Sequence, residues 1–144
     1  MKILIVNGPN LNMLGKRPKE YYGEDDYQLL VDAIHEWATS KGVKVEVFQS
    51  NHEGELVDRI QICDCDGLVI NPGALTNYSY AIRDALECVH VPKVEVHISN
   101  IYAREEFRKD SITAPLCDGV ITGLGVFGYI LALEYIFNSQ KNSG

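Results

Sequence analysis

The chain has 144 residues, enough for one domain that buries about 68–70% of its unfolded surface without disulfide or metal staples. With 46% apolar and 23% charged residues it has the balance of an ordinary globular protein. Its net charge of −7, with no block of Lys or Arg, argues against nucleic-acid binding and against a membrane-surface role, since both need clustered cations.

The first apolar run, 2–7, is too short for a signal peptide or a membrane span and reads as a buried strand. Further β-rich runs fall at 43–48, 67–71, 93–98 and 118–122. Between them helical patterns occupy 26–41, 54–64, 78–88 and 126–138, and 101–110 has room for one short helix. Leu30, Ala33, Ile34, Trp37 and Ala38 form the stripe of the first long helix, with Asp25 or Asp26 as its cap and Gly42 as its stop. Thr76 or Asn77 is the expected cap of the helix over 78–88. Residues 139–144 read as a polar tail that frays. Strand–helix alternation predicts a single α/β domain over 1–144. Its expected architecture is a flavodoxin-like three-layer sandwich with a five-stranded parallel sheet of order 2-1-3-4-5.

The four cysteines, at 63, 65, 88 and 117, have no zinc-ligand spacing and are expected to be reduced thiols of a cytoplasmic protein. Gly123-Leu124-Gly125-Val126-Phe127-Gly128 matches a dinucleotide fingerprint. The chain ends after the following helix, however, so the second strand and its acidic residue have no place, and close helix packing is the better account. His52 stands where a helix starts and reads as structural.

In doubly wound sheets ligands bind beyond the carboxyl ends of the strands, at the switch between strands one and three. Three segments converge there: a long loop over 8–25, the turn after Asn71-Pro72-Gly73, and Glu95-Val96-His97-Ile98-Ser99-Asn100. The first is too long for a plain connector and reads as a lid or binding loop. A phenol titrates near pH 10, and an adjacent guanidinium favours its ionised form. Tyr22 near Arg17 is therefore a candidate general base, and His97, oriented by Glu95, a candidate acid. Asn10 is a candidate to hold a water or stabilise an oxyanion. Base, acid and oxyanion stabiliser together suit proton abstraction beside a carbonyl followed by loss of water. Each also has a plainer reading, as a loop aromatic, a surface charge or a hydrogen-bonded core residue.

Five segments carry a resemblance: NGPNLNMLG at 7–15, QSNHEGEL at 49–56, NPGA at 71–74, EVHISN at 95–100 and AREEFR at 103–108. In this order they resemble the type II 3-dehydroquinate dehydratases from Ile3 to Tyr135. The resemblance implies reversible dehydration of 3-dehydroquinate to 3-dehydroshikimate, in the shikimate pathway or in quinate breakdown, without metal or cofactor. It places the base on Tyr22, the Arg favouring its phenolate on Arg17, the water-positioning Asn on Asn10 and the acid on His97 beside Glu95. Substrate contacts fall on Asn71, Ile98, Ser99 and Arg108, and an Asp supplied by a neighbouring subunit falls on Asp84. A homo-oligomer is implied, a dodecamer built from trimers. Two positions depart from the family pattern: Pro18-Lys19 replaces Glu-Pro in the lid, and Asn77 stands where a substrate-binding His is usual.

Two other classes compete. A flavin- or nucleotide-binding module needs a phosphate-cradling loop after the first strand, where Pro9, Met13 and Leu14 suit it poorly. A phospho-receiver needs acidic residues where Asn7 and Asn71 stand.

Overall fold

The computed structural model describes residues 1–142. Five strands, β1 Lys2–Asn7, β2 Lys44–Gln49, β3 Gly67–Asn71, β4 Lys93–His97 and β5 Gly119–Thr122, form one parallel sheet of order β2-β1-β3-β4-β5. This is the expected strand order. The helices are α1 Lys19–Tyr22, α2 Tyr27–Lys41, α3 Glu53–Gln61, α4 Tyr80–Glu87 and α5 Phe127–Asn142.

Successive strand side chains point to opposite faces, so the uninterrupted apolar runs of β1 and β3 feed two cores, while β4 gives Val94 and Val96 to one of them. Ile3, Ile5, Val69, Val94 and Val96 pack with Leu30, Ile34 and Trp37 of α2 and with Tyr129, Leu133 and Ile136 of α5. On the other face Leu4, Val6, Leu68 and Ile70 meet Leu56 and Ile60 of α3 and Ile82 and Leu86 of α4. Gly128 lets the start of α5 lie against the sheet, because a Cβ there would come 3.2 Å from Ile121 Cγ2 and 3.4 Å from Val96 Cγ1. That contact accounts for the last glycine of the fingerprint-like motif.

The helix ends differ in part from expectation. Asp26 caps α2, accepting from Leu29 N at 2.8 Å, and Gly42 closes it with φ 67°. The cap of α4 is Ser79, which accepts from Ile82 N at 3.0 Å, and not Thr76 or Asn77. Those two lie in a 3₁₀ turn, Gly73–Asn77, and their side chains serve other partners, described below. The polar residues over 139–142 continue α5. Asn138 Nδ2 donates to Glu134 O at 2.7 Å, Ser139 Oγ donates to Ile136 O at 2.8 Å, and Gln140 Nε2 reaches Asp66 O at 2.9 Å. These bonds give the segment the anchors that its composition did not suggest; the remainder of the expected tail, 143–144, lies outside the described residues. Two 3₁₀ turns, Ile101–Ala103 and Glu106–Arg108, replace the single short helix expected over 101–110. Cys63 and Cys65 are joined as a disulfide, Cα–Cα 5.3 Å, where reduced thiols were expected. Cys88 and Cys117 are free. None of the described helices is long and apolar enough to cross a membrane.

Candidate active site

At the carboxyl ends of the strands Asn7 pairs with Gln49 on one side and Asn71 on the other, and His97 pairs with Thr122. The loops leaving β1 and β3 touch backbone to backbone: Gly8 N donates to Asn71 O at 2.8 Å, and a Cβ on Gly8 would sit 2.4 Å from Pro72 O. A buried chain of polar groups lies beneath. Asn71 Nδ2 donates to the Tyr129 hydroxyl at 2.8 Å, and that hydroxyl donates to Asn7 Oδ1 at 2.7 Å. Both asparagines are thus paired, and neither supplies the acid that a phospho-receiver requires.

From this base the 8–25 loop rises as a structured flap. Leu11 and Leu14 are buried in the core, and α1 makes one turn after Pro18, whose carbonyl accepts from Tyr21 N and Tyr22 N at 3.1 Å. A proline suits a helix start, so Pro18-Lys19 is compatible with an ordered lid. The turn buries Tyr22 to 8% exposure over a narrow cleft that opens to solvent. The walls include Arg17, Tyr22, Asn71, Asn77, His97, Ile98, Ser99, Arg104 and Arg108, and among the described residues no Asp, Glu or Lys. In a chain of net charge −7 the cleft is locally cationic.

Arg17 Cζ stacks 3.8 Å from the centre of the Tyr22 ring, and Arg104 Nη1 donates to the Tyr22 hydroxyl at 2.5 Å. Arg104 also stacks on Tyr21, donates to Ser99 Oγ at 3.3 Å, and keeps its buried Nε without a partner. Burial lowers the pKa of Arg17, with Arg104 and Arg108 acting in the same direction and Tyr22 opposing them. Arg104 is the residue that the sequence reading missed, although it lies inside the segment that contributed Arg108.

On the opposite wall His97 Nε2 lies 2.8 Å from Glu95 Oε2. Glu95 is fully buried, which by itself would raise its pKa. The adjoining His97 and the hydroxyls of Thr113 and Ser111 outweigh that and hold it below the usual carboxylate value.

Most of the expected residues meet in this cleft: Arg17, Tyr22, Asn71, Asn77, His97, Ile98, Ser99 and Arg108 line it, with Glu95 directly behind His97. Asn77 also stitches the far wall, its Nδ2 donating to Arg108 O at 3.2 Å and Asp110 O at 2.9 Å. Two expected residues stand apart. Asn10 is exposed at φ 70°, its backbone N donating to Asn51 Oδ1 at 3.0 Å, and it is not in the cleft wall. Asp84 is exposed on α4, away from the cleft. His52 precedes α3 without a side-chain cap bond. Among the described residues no group of three or more His, Cys, Asp or Glu is placed to hold a metal ion.

The family model for class II dehydroquinases matches residues 1–137. The chain belongs to that family. The 3-dehydroquinate dehydratase of Thermotoga neapolitana is 69% identical over 143 residues, 99% of each chain. That of Lachnospira eligens is 56% identical over 140 residues, 94% of this chain and 95% of its relative. A crystal structure of the type II dehydroquinase from Butyrivibrio crossotus, 56% identical, aligns with a TM-score of 0.92 over 94% of this chain and 97% of the other. A 3-dehydroquinate dehydratase-like protein from Bifidobacterium longum is more distant: 34% identical, with a TM-score of 0.70 over 94% of each chain. The fold therefore lies within a family in which the Thermotoga and Lachnospira relatives are named 3-dehydroquinate dehydratases.

Proposed function

We propose that the chain dehydrates 3-dehydroquinate to 3-dehydroshikimate through an enolate, with Tyr22 as general base and His97 as general acid. The observation that carries this reading is the pairing of Tyr22 with two guanidiniums across a cleft from the Glu95–His97 dyad.

The substrate is a ketone with an acidic α-proton and a β-hydroxyl. Arg17 over the ring and Arg104 at the oxygen put positive charge where a phenolate carries its negative charge. The Tyr22 oxygen takes the α-proton, and the electron pair moves onto the carbonyl oxygen as an enolate. Collapse of the enolate expels the β-hydroxyl, which His97 protonates, so water leaves. His97 is oriented for this task by the Glu95 carboxylate, 2.8 Å from its Nε2. The cationic wall suits the substrate carboxylate. The overall charge of −7 opposes it weakly, since charges in solvent are screened beyond about 8 Å at physiological salt. A lysine imine, the other common way to acidify a carbon beside a ketone, has no support here, because no Lys among the described residues lines the cleft.

Asp84, exposed on α4, is proposed to complete a neighbouring subunit's cleft within a homo-oligomer, and Asn10 to position water once substrate is bound. The test of the reading is the ultraviolet absorbance of the conjugated enone when 3-dehydroquinate is added to the purified protein. A signal in the parent that falls at least about 100-fold in Tyr22→Phe and in His97→Ala supports the roles. Turnover within a few-fold of the parent in either variant contradicts them.

A further inference from the structure

Glu95 sits in a cage of three hydroxyls from two loops. Its Oε2 accepts from Thr76 Oγ1 at 3.0 Å and from Ser111 Oγ at 2.9 Å, besides facing His97; its Oε1 accepts from Thr113 Oγ1. Thr76 and Thr113 are as buried as Glu95 itself, at 2% and 0% exposure. The hydroxyl oxygens also crowd one another, Thr76 being 2.6 Å from Ser111 and 2.7 Å from Thr113. Each hydroxyl has a single proton to donate. Ser111 Oγ already accepts from Ala114 N at 2.9 Å, which leaves its proton for the carboxylate. Three hydroxyls thus converge on one carboxylate and share their protons among themselves and with it, an arrangement suited to the charged form. A protonated Glu95 would need one of these oxygens, or His97 Nε2, to accept.

The cage is also joined to the substrate wall. Ser111 and Thr113 follow Arg108 on the segment whose Arg108 and Asp110 carbonyls are held by Asn77. Ile112 N donates to Thr76 O at 2.8 Å, and Arg83 Nη1 donates to Ile112 O at 2.8 Å.

We propose that Thr113, together with Ser111 and Thr76, is a positioning residue for the dehydration: the hydroxyl cage keeps Glu95 ionised and so holds His97 as the proton donor facing the cleft. This rests on the acid role given to His97 above. The ionisable groups around Glu95 are few. His97 is bonded to it, and the Cys117 thiol, pushed up to about 12 by burial and then by the charge of Glu95, stays neutral. Arg17, Arg104 and Arg108 lie on the cleft side.

The experiment is the pH profile of kcat and KM for Thr113→Val, Thr113→Ser and Ser111→Ala. Thr113→Val keeps the shape and removes the hydroxyl. It is expected to lower kcat on the order of tenfold, the scale of one hydrogen bond to a charged group. KM should stay within about twofold, and the acid limb of kcat should rise by about one pH unit. Thr113→Ser should restore both, and Ser111→Ala should move the limb in the same direction. An unmoved acid limb in Thr113→Val, or a loss that Thr113→Ser fails to restore, overturns the proposal. If Thr113→Val does not fold, Ser111→Ala decides, and an unmoved limb there overturns it. His97→Ala separates the two readings: parental turnover in that variant removes the acid role itself, whereas a collapsed turnover beside an unmoved limb in the cage variants removes only the cage.

Discussion

Arg104 donates to the Tyr22 hydroxyl at 2.5 Å across 82 residues of sequence, tying the lid to the loop after β4. Arg17 holds the same phenol through its ring face, 3.8 Å away. The two arginines act at different atoms, so their loss has different consequences. Arg17→Ala removes ring packing and charge. Arg104→Leu removes the bond to the oxygen that becomes the phenolate and should cost more kcat, on the order of 100-fold, with the acid limb of the pH–rate profile, where the base loses its proton, displaced upward. An Arg104→Leu variant with parental kcat and an unshifted limb would remove this arginine from the account.

Glu95 also links the site to stability. Its folded pKa lies below the ordinary value of 4.5, so the linked stabilisation is fully present above that value and is lost as pH falls through the depressed folded value. Glu95→Gln should therefore cost roughly 1–3 kcal/mol at pH 7. The gap between variant and parent should narrow in acid, as read from urea unfolding at pH 7 and pH 4. A gap that stays constant with pH would show that the carboxylate charge contributes nothing.

Gly8 and Gly54 form a contrasting pair. A Cβ at Gly8 would meet Pro72 O at 2.4 Å, while one at Gly54, in the first turn of α3, meets nothing within 4 Å. Gly8→Ala is expected to destabilise by about 1–3 kcal/mol, because two backbones must separate. Turnover should fall with it, since Pro72 stands between Asn71 and Gly73, which line the cleft. Gly54→Ala is expected to be neutral or to stabilise by up to about 1 kcal/mol. Thermal unfolding of the two variants checks both; equal midpoints would contradict the close approach at Gly8.

Asp84 makes a prediction about assembly. Under the proposed shared site, mixing Asp84→Ala chains with Tyr22→Phe chains, each expected to be poorly active alone, should restore activity, because some clefts would then combine an intact Tyr22 with a neighbour's intact Asp84. Unrestored activity in mixed oligomers of confirmed composition would contradict a shared site.

The sheet was legible because its physics is local. Buried parallel strands such as Ile3-Leu4-Ile5-Val6 advertise themselves as continuous apolar runs, and the position of the ligand cleft follows from strand order. The catalytic candidates Tyr22 and His97 were legible through residue type, loop position and family likeness. Less visible was anything decided by competition between distant groups. Thr76 has the chemistry of a helix cap, but its hydroxyl goes to Glu95, and Ser79 takes the cap. Arg104 resembled any loop arginine until the lid brought Tyr22 against it. Its signal was present in AREEFR, where one arginine was singled out and the other passed over. Asn10 shows the reverse: the motif marks it, yet its side chain does not line the cleft.

The most direct measurement follows enone formation from 3-dehydroquinate by purified protein, before and after borohydride treatment in the presence of substrate. The enolate route predicts rapid turnover that survives borohydride unchanged, because no amine is joined to the substrate. Irreversible loss of activity with covalent attachment of substrate to a lysine, or no enone at all, would contradict it.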